Sequence, residues 1–158
     1  MFIVGDKIVY PMHGAGIIEE IEEKKILGQT REYYILRVPC GDMKIMIPID
    51  CSDDIGVRPI IPSSRLPEVL ELLSSESTEM SSNWNRRYRE NMELLKTGDI
   101  CKVAEVVRNL IRTDRTKKLS TGEKKMLTNA KQILISELIL VGKMTYEEAD
   151  RIIETSIE

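Results

Sequence analysis

Over the first sixty residues apolar and polar positions alternate with a period near two, in short runs rich in Ile, Val and Tyr. Lys7–Tyr10, Gly16–Glu23, Arg31–Val38 and Met43–Pro48 read as strands. Gly14-Ala15-Gly16, Leu27-Gly28-Gln29 and Cys40-Gly41-Asp42 read as the turns between them. In the third run Tyr33, Ile35 and Arg37 alternate with Tyr34, Leu36 and Val38, the pattern of a curled sheet with one buried face. A fifth short strand near Val57–Ile60 helps close a small barrel of SH3 or Tudor-like size, and Pro59 and Pro62 mark its exit.

From Ser64 onward the apolar period becomes helical. Ser64 is placed to cap a helix bearing Leu66, Val69, Leu70 and Leu73, with Pro67 in its first turn. The polar stretch Ser74–Asn83 reads as a linker or long loop. Trp84, Tyr88, Met92 and Leu95 recur at helical spacing until Gly98, and Asp99 caps the next helix, whose apolar face is Val103, Val106, Val107, Leu110 and Ile111. Ser120 with Glu123 forms a capping box before a long helix carrying Met126, Leu127, Ala130, Ile133, Leu134, Leu138 and Val141. Thr145 with Glu148 forms another before Ala149, Ile152, Ile153 and Ile157. The expectation is an α+β chain: a five-stranded barrel over residues 1–60, then a compact bundle of about five helices over 61–158.

The length of 158 residues suits one ordinary domain or two small ones. No apolar run approaches the ~20 residues that span a bilayer, and Asp6 interrupts the N-terminal apolar stretch before it resembles a secretory leader. Three cysteines without a CxxC pair point to a reducing compartment, so the cytoplasm is the expected address. One histidine and scattered cysteines offer little for a metal site, and no cofactor motif is present. Catalysis finds few candidates. His13 sits alone in a turn, and Cys101, at a helix start, has no His or Asn nearby in sequence. The acidic run Glu19–Glu23 reads as a solvated edge. No enzyme is expected.

Charge changes the picture more. The net charge is −3, yet residues 84–131 hold 13 basic against 6 acidic side chains. That block reads either as solvated helix faces or as a nucleic-acid footprint. Its densest part, Asn83-Trp84-Asn85-Arg86-Arg87-Tyr88-Arg89-Glu90-Asn91, holds the one tryptophan and three arginines within four residues. Arginine forks grip phosphates, and an aromatic ring stacks on or wedges between bases. Trp84 also lies in register with Tyr88 and Met92, so the pattern alone leaves core packing open. Lys117, Lys118, Lys124 and Lys125 flank the start of the long helix, whose amides also suit a phosphate.

These segments resemble the CarD/CdnL family of bacterial RNA-polymerase-binding transcription regulators. The resemblance rests on Val4-Gly5-Asp6-Lys7-Ile8-Val9-Tyr10-Pro11 with His13-Gly14, and on Asn83-Trp84-Asn85-Arg86-Arg87-Tyr88. It rests further on Gly98-Asp99, Lys102-Val103-Ala104-Glu105-Val106-Val107-Arg108, and Leu119-Ser120 with Gly122-Glu123-Lys124-Lys125-Met126-Leu127. It implies that the first sixty residues form a Tudor-like domain docking on the polymerase β subunit by strand pairing, with Lys24, Lys25 and Arg31 near the seam. Met46 stands where some members carry arginine. It also implies that the helical part contacts promoter DNA at the upstream edge of the bubble without reading sequence. Trp84 would be a minor-groove wedge that stabilises the open complex, Arg86, Arg87 and Arg89 phosphate contacts, and Lys124 and Lys125 further backbone contacts. A monomer is expected, with helix exchange through Ser74–Asn83 as the alternative. The competing functional reading is a protein–protein adaptor that never touches DNA.

Overall fold

The computed structural model describes residues 2–39 and 43–157. Strand β1 (Lys7–Tyr10) turns back through Pro11–His13 into β2 (Gly14–Ile26), with Tyr10 opposite Gly14. The turn therefore precedes the expected Gly14-Ala15-Gly16, which instead lies inside β2. Gly16 is there for space: a Cβ would meet the Arg37 carbonyl oxygen at 2.5 Å. Strand β2 pairs with β3 (Gln29–Val38) across a two-residue loop. Both loop residues, Leu27 and Gly28, have positive φ, the signature of a type I′ hairpin turn. A bulge at Ile18/Glu20 bends this long hairpin. The expected turn at Cys40-Gly41-Asp42 lies outside the described residues.

Strand β4 (Met43–Pro48) adds to β3, and β5 (Arg58–Pro59) adds to β1 after a short helix α1 (Ser52–Ile55). The antiparallel order is β4-β3-β2-β1-β5, which leaves β4 and β5 as the ends. Tyr34, Leu36, Val38, Ile18 and Ile47 face the core. The other face of β3 is buried too, since Tyr33 and Ile35 are flanked across both ladders by Glu22, Pro48, Glu20 and Met46. One buried face was the expectation; an interior strand of a curled sheet gains a second one from its neighbours' long side chains.

The helices are α2 (Leu66–Ser74), α3 (Trp84–Lys96), α4 (Ile100–Thr116), α5 (Thr121–Gly142) and α6 (Tyr146–Ser156). Asn83, Asp99, Ser120 and Thr145 cap the last four through side-chain oxygens. Ser64 does not cap α2, because Ser63–Arg65 form a 3₁₀ turn that runs straight into it. The apolar faces expected for α4 and α5 are buried, Leu127 being half-buried.

Helix α5 lies between the sheet and the bundle, so Ile133 to Leu138 are buried all round. Its two buried polar residues there each meet the sheet half. Ser136 Oγ accepts from the Ala15 amide at 2.8 Å. The Glu137 carboxylate accepts from both terminal nitrogens of Arg58 (2.9 and 2.7 Å) and from the Ile61 amide (3.0 Å). Arg58 Nε also donates to the Gly98 carbonyl at 2.8 Å, so one guanidinium on β5 holds both α5 and the α3–α4 junction. A buried ion pair of this kind adds little net stability, but it fixes geometry, since losing one partner strands the other.

The segment between α2 and α3 was expected as a linker. It is irregular but fastened: Thr78 bonds Asn109, Arg112 donates to Ser75 O and Ser77 Oγ, and Arg87 donates to Ser81 O.

Candidate nucleic-acid interface

Trp84 is the first residue of α3, directly after the Asn83 cap, whose side chain accepts from the amides of Asn85 and Arg86. The cap fixes the direction of the first turn, and the ring is left 56% exposed. It projects and is not core. Tyr88 and Met92, one and two turns on, are packed against the core. The helical register that left both readings open is thus used by the later members alone.

The arginines beside it divide. Arg86 is exposed and pairs with Glu90 one turn along (2.9 Å). Arg89 is exposed, with no ion pair among the described residues. Arg87 turns inward: Nε and Nη2 grip the Glu123 carboxylate at 2.6 and 2.7 Å. Glu123 is almost wholly buried, and the Arg87 guanidinium hydrogen-bonded to it holds its carboxyl below the usual carboxylate range despite that burial. The same pairing raises Arg87. The Arg87 fork is thus occupied by a carboxylate and ties α3 to α5.

That role has a spatial consequence. Glu123 lies in the first turn of α5, where its amide donates to the Ser120 cap at 3.3 Å and its carboxylate accepts from the Ser120 hydroxyl at 3.1 Å. The Tyr88 ring also lies 3.8 Å from where a Cβ on Gly122 would stand. The first turns of α3 and α5 are thus side by side. Trp84 and Arg86 lie in the first turn of α3 and Arg89 just beyond it, and Lys124 and Lys125 lie at the start of α5, both lysines exposed and without ion pairs among the described residues. A shallow hollow of about 430 Å³ opens beside these lysines, lined also by Thr121, Thr128, Asn129 and Gln132. Two helix N-termini with exposed cations and a projecting indole suit a phosphate backbone and a stacked or wedged base.

The sheet residues picked from the sequence lie elsewhere. Lys24 stands opposite Arg31, and Lys25 opposite Thr30, near the tip of the β2–β3 hairpin. Both lysines are exposed, Lys24 lying 3.7 Å from Glu22. Arg31 donates to both Asp50 oxygens (2.9 and 3.0 Å), which raises Arg31 and lowers Asp50. Met46 is partly exposed on β4, opposite Ile35. Strand β4 has its outer edge unpaired among the described residues.

Burial, then Asp99 and Glu68, push the Cys101 thiol up, away from a reactive thiolate. His13 stacks on Tyr10 with ring centroids 4.3 Å apart. Cys40 lies outside the described residues. No cluster of three metal-ligating side chains occurs among the described residues, and no helix there is long and apolar enough to cross a membrane.

Sequence reasoning missed Glu123 as the partner of Arg87, because a Ser-x-x-Glu spacing already explains that glutamate as a cap. The Arg58–Glu137 joint, 79 residues apart in sequence, carries no local signal.

Comparison with known proteins adds the following. Residues 68–154 match the family described as "CarD, C-terminal domain", and residues 2–61 match "CarD-like/TRCF RID domain". A Bacillus subtilis (strain 168) protein named "Putative transcription factor YdeB" is 41% identical over 148 residues, covering 94% of this chain and 97% of that protein.

Proposed function

The chain belongs to the CarD family of transcription regulators, and from that premise we propose that it docks on the β subunit of RNA polymerase and stabilises the open promoter complex through direct DNA contact. The observation that carries the reading is the start of α3 joined to the start of α5 by Arg87 and Glu123, with Trp84 exposed on one helix beside exposed Arg86 and Arg89 and with exposed Lys124 and Lys125 on the other. In this account residues 1–60 are the polymerase-binding unit and 61–158 the DNA-binding unit. The open edge of β4, with Met46, receives a strand of the β subunit, and Lys24 and Lys25 lie near that seam. Arg31 acts there through Asp50.

The physical argument is one of linkage. A ring filling the minor groove at the upstream fork binds the opened duplex and not the closed one, so it shifts the equilibrium by its differential affinity. About 1.4 kcal/mol of such preference raises the open-to-closed ratio tenfold. The surrounding cations add salt-dependent, sequence-independent affinity. An acidic chain holds DNA weakly alone, and tethering to polymerase supplies effective concentration. Arg87 serves by keeping the two first turns together. The 75–83 segment, bonded to α4 of its own chain, favours a single copy per polymerase.

The test is the lifetime of open complexes challenged with competitor DNA, using polymerase from the same source. The wild type lengthens it and Trp84→Ala loses most of the effect while still binding β. No lengthening by bound wild type would leave the adaptor reading in its place.

A further inference from the structure

The arginines of this chain mostly face carboxylates, but two on α4 do not. Arg108 is 1% exposed, and neither it nor Arg112 has a carboxylate within ion-pair distance among the described residues. Glu105, one turn away from Arg108, pairs with Lys102. Burial works against the charged form of Arg108; Glu105 offsets this only in part, and the positive charge of Arg112 adds a smaller effect against it. The two guanidiniums instead reach the end of α2 and the segment after it. Arg108 Nη1 donates to Leu72 O (3.0 Å) and Ser75 Oγ (2.8 Å), and Nε to Asn109 Oδ1 (3.1 Å). Arg112 Nη1 donates to Ser75 O (2.6 Å) and Ser77 Oγ (3.1 Å), and Nη2 to Ser74 O (3.4 Å).

Those carbonyls close the helix, yet they do not balance the charge. A helix end supplies about half a negative charge against two full positive ones. Two nitrogens also stay unused. Among the described residues, the only buried side-chain polar atoms without a partner are Arg108 Nη2 and Arg112 Nε. Buried charge without a counter-ion is costly, and unpartnered buried donors add to the cost. Both deficits sit in one place, beside an exposed run of hydroxyls, Ser74-Ser75-Glu76-Ser77-Thr78.

We propose that Arg108 and Arg112 form the receiving site for a phosphate monoester carried on Ser77. The missing component is an anion with several acceptor oxygens, and a phosphate meets guanidinium forks in that way. Ser77 is singled out by its neighbours' commitments. The Ser75 hydroxyl donates to Leu72 O while accepting from Arg108, and the Thr78 hydroxyl is taken by Asn109 Nδ2 at 2.7 Å. The Ser77 hydroxyl is exposed, and its one bond among the described residues is to Arg112. The modification is an ordinary phosphoryl transfer from a nucleoside triphosphate by a protein serine kinase. The bond between Ser77 Oγ and the γ-phosphorus forms, and the bond to the bridging oxygen breaks. The hydroxyl proton passes to the kinase's base, and the nucleoside diphosphate leaves. Once in place, the phosphate fastens the segment that runs on to Asn83 and Trp84. The inference does not depend on the functional reading above.

The test uses the full chain with phosphoserine installed at position 77, the unmodified chain, and each of these two carrying Arg112→Gln at a half-exposed site. The phosphoserine chain should melt about 3 °C or more above the unmodified one. Its phosphorus resonance should also titrate at lower pH in the folded protein than in urea, where the second ionisation is at about 6. Arg112→Gln should remove most of both shifts. An unchanged or lowered Tm with the titration seen in urea would overturn the site. Stabilisation of the unmodified chain by millimolar inorganic phosphate, lost in Arg112→Gln, with none from phosphoserine, would make it a free-phosphate site and overturn the assignment to Ser77.

Discussion

The joint between sheet and helices predicts a specific energetic asymmetry. Arg58→Met keeps much of the stem that packs against the fold but deletes the guanidinium. It leaves Glu137, with 3% of its side chain exposed, holding one remaining bond from the Ile61 amide. An uncompensated buried carboxylate costs about 3–5 kcal/mol. For a chain of this length that lowers Tm by roughly 10 °C. Adding Glu137→Gln removes the charge and keeps an amide oxygen for Ile61, so about 2 kcal/mol should return. The bond from Arg58 Nε to Gly98 O is absent from both variants and cancels in the comparison. Urea unfolding followed by circular dichroism measures this as a recovered midpoint at constant slope. A double variant no more stable than Arg58→Met alone would refute the reasoning, because the stranded charge would then not be the source of the loss.

Other consequences can be checked alongside. The wild-type Glu123 carboxyl, lowered by Arg87, binds fewer protons folded than unfolded. Its contribution is present above the ordinary carboxylate value and is lost as pH falls through the lowered one. In Arg87→Met, burial without a cation raises that carboxyl, so its contribution falls as pH rises above the ordinary value; parallel urea-unfolding profiles between about pH 3 and 7 would contradict this. Gly98→Ala places a side chain at φ +72° with its Cβ 2.9 Å from Pro11 Cγ, and should cost about 1–3 kcal/mol by thermal melting. An unaltered Tm would count against that crowding. Trp84→Ala should leave Tm within about 2 °C of wild type, since the ring lies mostly outside the core; a large fall would return it to a packing role.

Much of this molecule is legible from local pattern. Period-two runs located β1 and β4 at their observed bounds, and the Thr145/Glu148 capping box is present in full. Errors came where a second interaction competes for a residue. Gly14 and Gly16 look like turn glycines but serve close strand and helix contacts. Ser64 looks like a cap but lies within a 3₁₀ turn. Arg87 looks like one of three surface arginines, and only the fold reveals that Glu123 lies within its reach. The polar segment after α2 reads as loose because its fasteners, Arg108, Asn109 and Arg112, come some thirty residues later. Local rules describe elements; partners brought together by the chain's return are outside their range.

The central claim, that Trp84 meets DNA at the opened promoter, is tested most directly by proximity. A photo-crosslinking residue, benzoylphenylalanine, in place of Trp84 should attach to promoter DNA at the upstream edge of the bubble. The attachment should occur only when polymerase holds the open complex. Crosslinks confined to polymerase, or none to DNA while the variant remains bound to the β subunit, would contradict the account.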